Sequence, residues 1–291
     1  MVSLPCGSRP LPGSPGSNPM GRLFVVGSLN VDTVIRVQSH PKPGQTVLGG
    51  APTTAWGGKG ANQAIAAARS APKGVGVSLV GRVGDDPEGT TYRERLRSLG
   101  IAVTAVLRTP DVRTGSAVVV VNEDGENMII VSPAANECLG VEDLTALRSL
   151  DSTDVIVTNL EIPTAVVERT AEYCVRSGAR LVLNLSPFAV VSPAVLLYAD
   201  PVIVNEHEAR DLESRYGQLP SVLITRGDKG SEWGANRVPA LPLADVVDTT
   251  GAGDAYCGAL AVALAGGATP VGAMHRATSA AAEAVRRHGA Q

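Results

Sequence analysis

Short apolar runs recur along the chain, and each ends at a turn residue. LFVVG (Leu23 to Gly27), VIVTNL, LVLNL, PVIVN and SVLIT are continuous rather than alternating, the pattern of strands buried on both faces. Between and after them lie helical stretches. GANQAIAAARSA is rich in small residues, PEGTTYRERLRSLG opens with Pro and closes with Gly, and PTAVVERTAEYCVRSG and EHEARDLESRYG follow. Such alternation predicts an α/β fold with a mostly parallel sheet covered by helices on both sides. Two segments break the pattern. VDTVIRV and TVLGGAPTTAW, separated by SHPKPG, carry β-branched residues, as does the stretch from Val103 to Val131. In the second, SAVVVV and NMIIV flank NEDGEN, whose Asp124-Gly125 pair is a strong hairpin signal. These excursions, at about 32–56 and 101–131, are expected to form a small second sheet. Two further helical stretches, GDAYCGALAVALAGG and TPVGAMHRATSAAAEAVRRHG, close the chain.

Composition narrows the function classes. A net charge of -3 with interspersed signs gives no electrostatic reason to expect nucleic acid or an anionic membrane as partner. No apolar run approaches the ~20 residues needed to span a bilayer. Four scattered cysteines without a C-x-x-C pair, and four dispersed histidines, argue against a disulfide framework and a zinc site. The setting they imply is cytosolic. Residues 1–21 are rich in Pro, Gly and Ser and read as a disordered leader, with the folded part over 22–291.

Chemistry concentrates in three segments. DTTGAGD, Asp248 to Asp254, stands immediately before a helical stretch. Gly251 and Gly253 let backbone N–H groups approach a ligand, and a helix N-terminus favours anionic oxygens. Asp254 sits at that same terminus, so a carboxylate stands beside an anion cradle. That pairing suits phosphoryl transfer, in which a hydroxyl loses its proton while charge grows on phosphoryl oxygens. The bland alternative is a dipole partner and a turn. GGKGANQA, Gly57 to Ala64, also opens a helix but lacks Walker A spacing. In it Lys59 offers a point charge and Asn62 an amide; a solvated lysine at a glycine-rich helix start is the alternative. GSLNVD places Asn30 and Asp32 just beyond the first strand, on one side of an extended segment. There they can share vicinal hydroxyls, or merely form an Asx turn.

Together with PKPGQTVLGG, the G-x-V-G-D-D run at Gly81 to Asp86 and NEHE, these segments resemble the ribokinase branch of the PfkB carbohydrate kinase family, from about Arg22 onward. The resemblance implies a Rossmann-like three-layer α/β/α domain and a small β-sheet lid that often forms a homodimer interface. It implies Asp254 as catalytic base and Gly251, Ala252 and Gly253 as anion hole. Asn30, Asp32, Gly58, Lys59, Asn62 and Glu161 become sugar contacts. On the nucleotide side it implies Asn184, Asn205, Thr225, Gly227, Gly230, Gly253 and Thr278 at ATP, and Glu208 organising Mg²⁺. Asp248 and Thr250 correspond to ligands of an activating K⁺. Three departures stand out: a short segment between Glu208 and Ser221, where the family usually inserts a helix; the stop at GAQ, Gly289 to Gln291; and Thr278 where an amide is common. The first is expected to thin the nucleotide side and the second to remove part of the cation site. The expected activity is ATP-dependent phosphorylation of D-ribose at its 5-hydroxyl. Fructose, a ketodeoxy sugar acid or a nucleoside are alternative acceptors, and a non-catalytic sugar-binding relic is the alternative outside enzymes. An aromatic content of 3% argues against a nucleoside.

Overall fold

The structure, a computed structural model, describes residues 20–291. The expected leader therefore falls almost entirely outside the described residues. Gly21 already donates its N–H to the Ala265 carbonyl at 3.0 Å, so packed chain begins one residue before Arg22.

The chain starts in β1 (Leu23–Val26), leaves into β2 (Asn30–Arg36) and β3 (Thr53–Gly57), and returns through α1 (Lys59–Ser70), β4 (Val77–Gly84), α2 (Pro87–Ser98) and β5 (Ala102–Thr109). A second excursion, β6 (Ser116–Val121) and β7 (Asn127–Ser132), precedes β8 (Val155–Thr158), α3 (Thr164–Ser177), β9 (Arg180–Asn184) and α4 (Pro193–Tyr198). Then come β10 (Val202–Asn205), α5 (Glu206–Tyr216), β11 (Val222–Thr225), β12 (Ser231–Trp233) and β13 (Asn236–Val238). The helices α6 (Ala252–Ala265) and α7 (Pro270–Ala284) follow.

The main sheet runs β13-β12-β11-β10-β9-β8-β1-β4-β5. It is parallel from β5 to β11, with β12 and β13 added antiparallel at one edge. Successive residues of β1 serve different cores. Leu23 and Val25 pack with α1, α2, α6 and α7, and Phe24 and Val26 with α3, α4 and α5. Period-two geometry dictates that division, and each fully buried apolar side chain contributes roughly 1.5–3 kcal/mol. β1 lies between β4 and β8, so the chain winds outward on one side of it and then on the other. That is the topological switch point, where open α/β sheets bind ligands beyond their strand carboxyl ends.

The small sheet has the order β3-β2-β6-β7. Its β6–β7 hairpin turns at Asp124-Gly125, with Gly125 at φ 80° and its N–H donating to Asn122 O at 3.1 Å. One boundary differs from the sequence expectation. Residues 102–109 do not join this sheet; β5 pairs in parallel with β4 from Ser78↔Ala102 to Gly84↔Thr109. Val103 and Val106 are buried in the main core, and that burial holds the strand on the large sheet. The second excursion therefore begins at Ser116. Between α5 and β11 no second helix intervenes among the described residues. A groove of about 690 Å³ opens there, with Leu212, Leu219, Val222 and Ile224 in its wall. No helix of the described residues is long and apolar enough to cross a membrane.

One close helix contact bears directly on the site. A Cβ at Gly258 of α6 would fall on the Gln63 carbonyl of α1 and lie 3.0 Å from Ala66 Cβ and Ala67 N. Only hydrogen fits, and this lets the first turns of α1 and α6 meet.

Candidate active site

At that meeting point Asp254 is buried, 6% exposed. Its Oδ2 accepts from Asn62 Nδ2 at 2.9 Å and its Oδ1 from Gln63 Nε2 at 3.0 Å. Burial pushes the Asp254 carboxyl above the usual range, while Lys59 and the two amide donors pull the other way. The same burial opposes charge on Lys59, but the Asp254 and Glu161 carboxylates outweigh it and hold the ammonium above its ordinary pKa. The structure thus brings Lys59, Asn62 and Asp254 together from opposite ends of the chain. Gln63 was not among the expected residues, although it stands in the same motif as Asn62.

The strand ends at the switch point complete a polar cleft. Asn30 opens β2, and its Oδ1 accepts from Asn136 Nδ2 at 2.8 Å. Asn136 also accepts from Leu29 N–H at 2.8 Å, so the Asn30 amide is held in one orientation with its own NH₂ free for a ligand. Nothing in the local sequence around Asn136 announces this; the contact spans 106 residues. Glu161, just past β8, accepts from Ser28 Oγ at 2.6 Å and from Lys59 N–H at 2.9 Å through Oε2. It therefore pins the start of α1 to the loop after β1. Gly58, at φ 87°, allows that junction: a Cβ there would stand 2.7 Å from Asn30 N and 2.8 Å from Leu29 Cα. Asp32 is half-buried, and burial raises its pKa to about 6, with Glu161 adding to the rise. Its buried Oδ1 has no protein hydrogen-bond partner, the condition of an acceptor that a ligand hydroxyl would satisfy.

On the other side of the start of α6 lies a cavity of about 610 Å³. Thr225, Gly227, Gly230, Gly253 and Thr278 all line it, and Leu241, Leu243 and Val246 make its apolar wall. Thr278 is turned inward, its hydroxyl donating to Met274 O at 2.9 Å. Asn184 is buried at the end of β9, outside this lining. Asn205 and Glu208 form a reciprocal cap on α5. Asn205 Oδ1 accepts from the N–H groups of His207 and Glu208, both at 2.9 Å, and Glu208 Oε2 accepts from Asn205 N–H at 2.8 Å. The N-x-x-E element is thus also a capping box, with the Asn205 oxygen already engaged.

Asp248 and Thr250 share one turn, Thr250 N–H donating to Asp248 Oδ1 at 2.8 Å. Asp248 Oδ2 accepts from Gly289 N–H at 2.9 Å, which ties the last residues to this loop. Burial alone would raise the Asp248 pKa, but the bonds from Thr250 and Gly289 outweigh it and keep the carboxyl below its ordinary value. An ionised oxygen pair with lone pairs left over suits a monovalent cation. Among the described residues no cluster of three or more His, Cys, Asp or Glu side chains gathers as a metal cage. Glu208 as a lone carboxylate fits a hard ion that draws its remaining ligands from water and phosphates.

Fold and cleft together define a small-molecule phosphotransferase. Residues 20–291 match the family described as pfkB family carbohydrate kinase, and the chain belongs to that family. It is 34% identical over 283 residues to the ribokinase of Bacillus subtilis, spanning 94% of this chain and 95% of that protein. Among solved structures, the ribokinase of Thermotoga maritima superposes with a TM-score of 0.81 at 31% identity, covering 93% of this chain and 94% of that one. The Arabidopsis thaliana ribokinase complexed with ribose and ATP gives a TM-score of 0.81 at 28% identity, covering 92% and 94%.

Proposed function

We propose that this chain transfers the γ-phosphoryl group of ATP to the 5-hydroxyl of D-ribose. The observation that carries the reading is Asp254, buried at the first turn of α6 between the polar cleft and the large cavity. Asp254 takes the hydroxyl proton. The N-terminal amides around Gly251, Ala252 and Gly253 receive the charge that grows on the phosphoryl oxygens. Asn30, Asp32, Gly58, Lys59, Asn62 and Glu161 hold the sugar. Adenine lies in the apolar part of the cavity beside Thr278, and Thr225, Gly227 and Gly230 follow the phosphates, with Asn184 and Asn205 toward their far side. Glu208 would hold Mg²⁺ through water, and the ion would neutralise phosphate charge. Asp248 and Thr250 would hold K⁺, whose charge would steady the loop before α6. The small sheet closes over the sugar and excludes water. We place the reaction in the cytosol, where the exposed thiol of Cys138 stays reduced.

The test is ATP consumption over a sugar panel, with and without K⁺. The expected result is the highest kcat/KM for ribose and a faster rate with K⁺. A higher value for fructose, a ketodeoxy acid or a nucleoside would overturn the substrate assignment. Silence alongside demonstrable ribose binding would favour a relic.

Two expectations follow from the cleft and the lid. The ionised Asp32 carboxylate accepts sugar hydroxyls. That form dominates above its pKa of about 6 and is lost below it, so the KM for ribose should rise as pH falls through that value. Asp32→Asn should abolish this dependence; an unchanged profile would remove Asp32 from the sugar site. The lid also presents Met128, Ile129, Ile130 and Val131 to solvent, with Ile130 67% exposed. Such a contiguous apolar strand favours a homodimer through the lid. Light scattering should give a dimer for the native chain and a monomer for Ile130→Asp.

A further inference from the structure

We propose that Gln291 is a positioning residue for the catalytic base, acting through the Asn62 amide. This rests on Asp254 being that base. Asn62 can help the base only with its NH₂ toward Asp254, because its carbonyl there would repel a carboxylate. Its Oδ1 accepts from Gln291 Nε2 at 2.9 Å, which leaves Nδ2 to donate to Asp254 Oδ2 at 2.9 Å. Gln291 is itself held one way round. Its Oε1 accepts from Arg95 Nε at 3.4 Å, and Arg95, lying over the Trp56 ring, can only donate. Gln291 Nε2 also donates to the Tyr92 hydroxyl, which in turn donates to Gly57 O at 2.6 Å. Tyr92 is fully buried, so that hydroxyl is a fixed point. Donor direction therefore runs one way from Arg95 through Gln291 and Asn62 to Asp254. The bond from Gly289 to Asp248 secures the segment that carries Gln291.

The experiment measures kcat against pH for Gln291→Met, which keeps the shape, and Gln291→Glu, which reverses the direction. Each is made alone and with Asn62→Ala. Asp254→Asn is a separate arm. Without the anchor, Asn62 turns freely and the base keeps only Gln63 as a steady donor. Lys59, Glu161, the Cys257 thiol and the Tyr92 phenol also act on Asp254 electrostatically, while its side-chain hydrogen bonds come from Asn62 and Gln63. The expected loss for Gln291→Met is about tenfold in kcat, with the acid limb moved to higher pH. Gln291→Glu should lose more once ionised, because its carboxylate draws the Asn62 NH₂ away from Asp254. With Asn62 already alanine, Gln291→Met should cost nothing further. An equal loss in both backgrounds, or wild-type kcat and acid limb, overturns the proposal. A fall in active protein without movement of the limb marks a purely structural role and also overturns it. If Asp254→Asn is inactive while Gln291→Met is normal, only the proposal fails; if Asp254→Asn turns over normally, the base assignment fails with it.

Discussion

Asp254→Asn is expected to lower kcat by ~10²–10⁴-fold while ribose still binds. The substitution conserves shape, but a carboxamide cannot accept the hydroxyl proton. The loss should therefore appear in turnover and not in sugar affinity measured by calorimetry. Asn62 and Gln63 both aim donors at this position, and an amide there can satisfy only one of them. The native arrangement is thus matched to an ionised carboxylate. Near-wild-type turnover with intact sugar binding would remove Asp254 from the chemistry.

Gly258→Val should damage stability and activity together. Its side chain would be driven into the backbone of α1 at Gln63 and Ala67. Overpacking of this kind costs about 1–3 kcal/mol, or roughly 2–10 °C in melting temperature for a domain near this size. The helices must part to relieve it, and parting them withdraws Asn62 and Gln63 from Asp254. kcat should fall beyond any loss of folded protein, with Gly258→Ala intermediate. A variant that melts and turns over like the native chain would show that the helix contact does not hold the site.

Much of this architecture can be read from the sequence, because local rules and burial agree there. LFVV is a fully buried strand, and DTTGAGD does open a helix. VTAVLRT in β5 has the same β-branched character as the lid strands, and only burial of Val103 and Val106 against the α2 side distinguishes it. The residues that orient the site lie far from their partners in sequence. Asn136 acts on Asn30, and Gln291 on Asn62, across separations of 106 and 229 residues. No periodicity links such pairs. Gln63 was within reach, but neighbouring helix positions ordinarily face different directions. Here the partner carboxylate sits between them. In NEHE, one spacing forms a cap and also matches the family's nucleotide-side motif, so the sequence pattern alone does not separate the two.

The switch-point topology also distributes recognition along the gene. Most of the polar cleft comes from one uninterrupted stretch, Asn30 to Gln63, which includes two lid strands and the start of α1. The large cavity is drawn from Thr225 to Val285. On the proposed assignment, acceptor choice and donor choice are encoded in separate cassettes that both reach the start of α6. A chimaera exchanging the first cassette between relatives should carry its acceptor preference with it and leave the phosphoryl donor unchanged. In such a fold, new sugar specificities can arise by recombination within a single short exchange, without disturbing the nucleotide half.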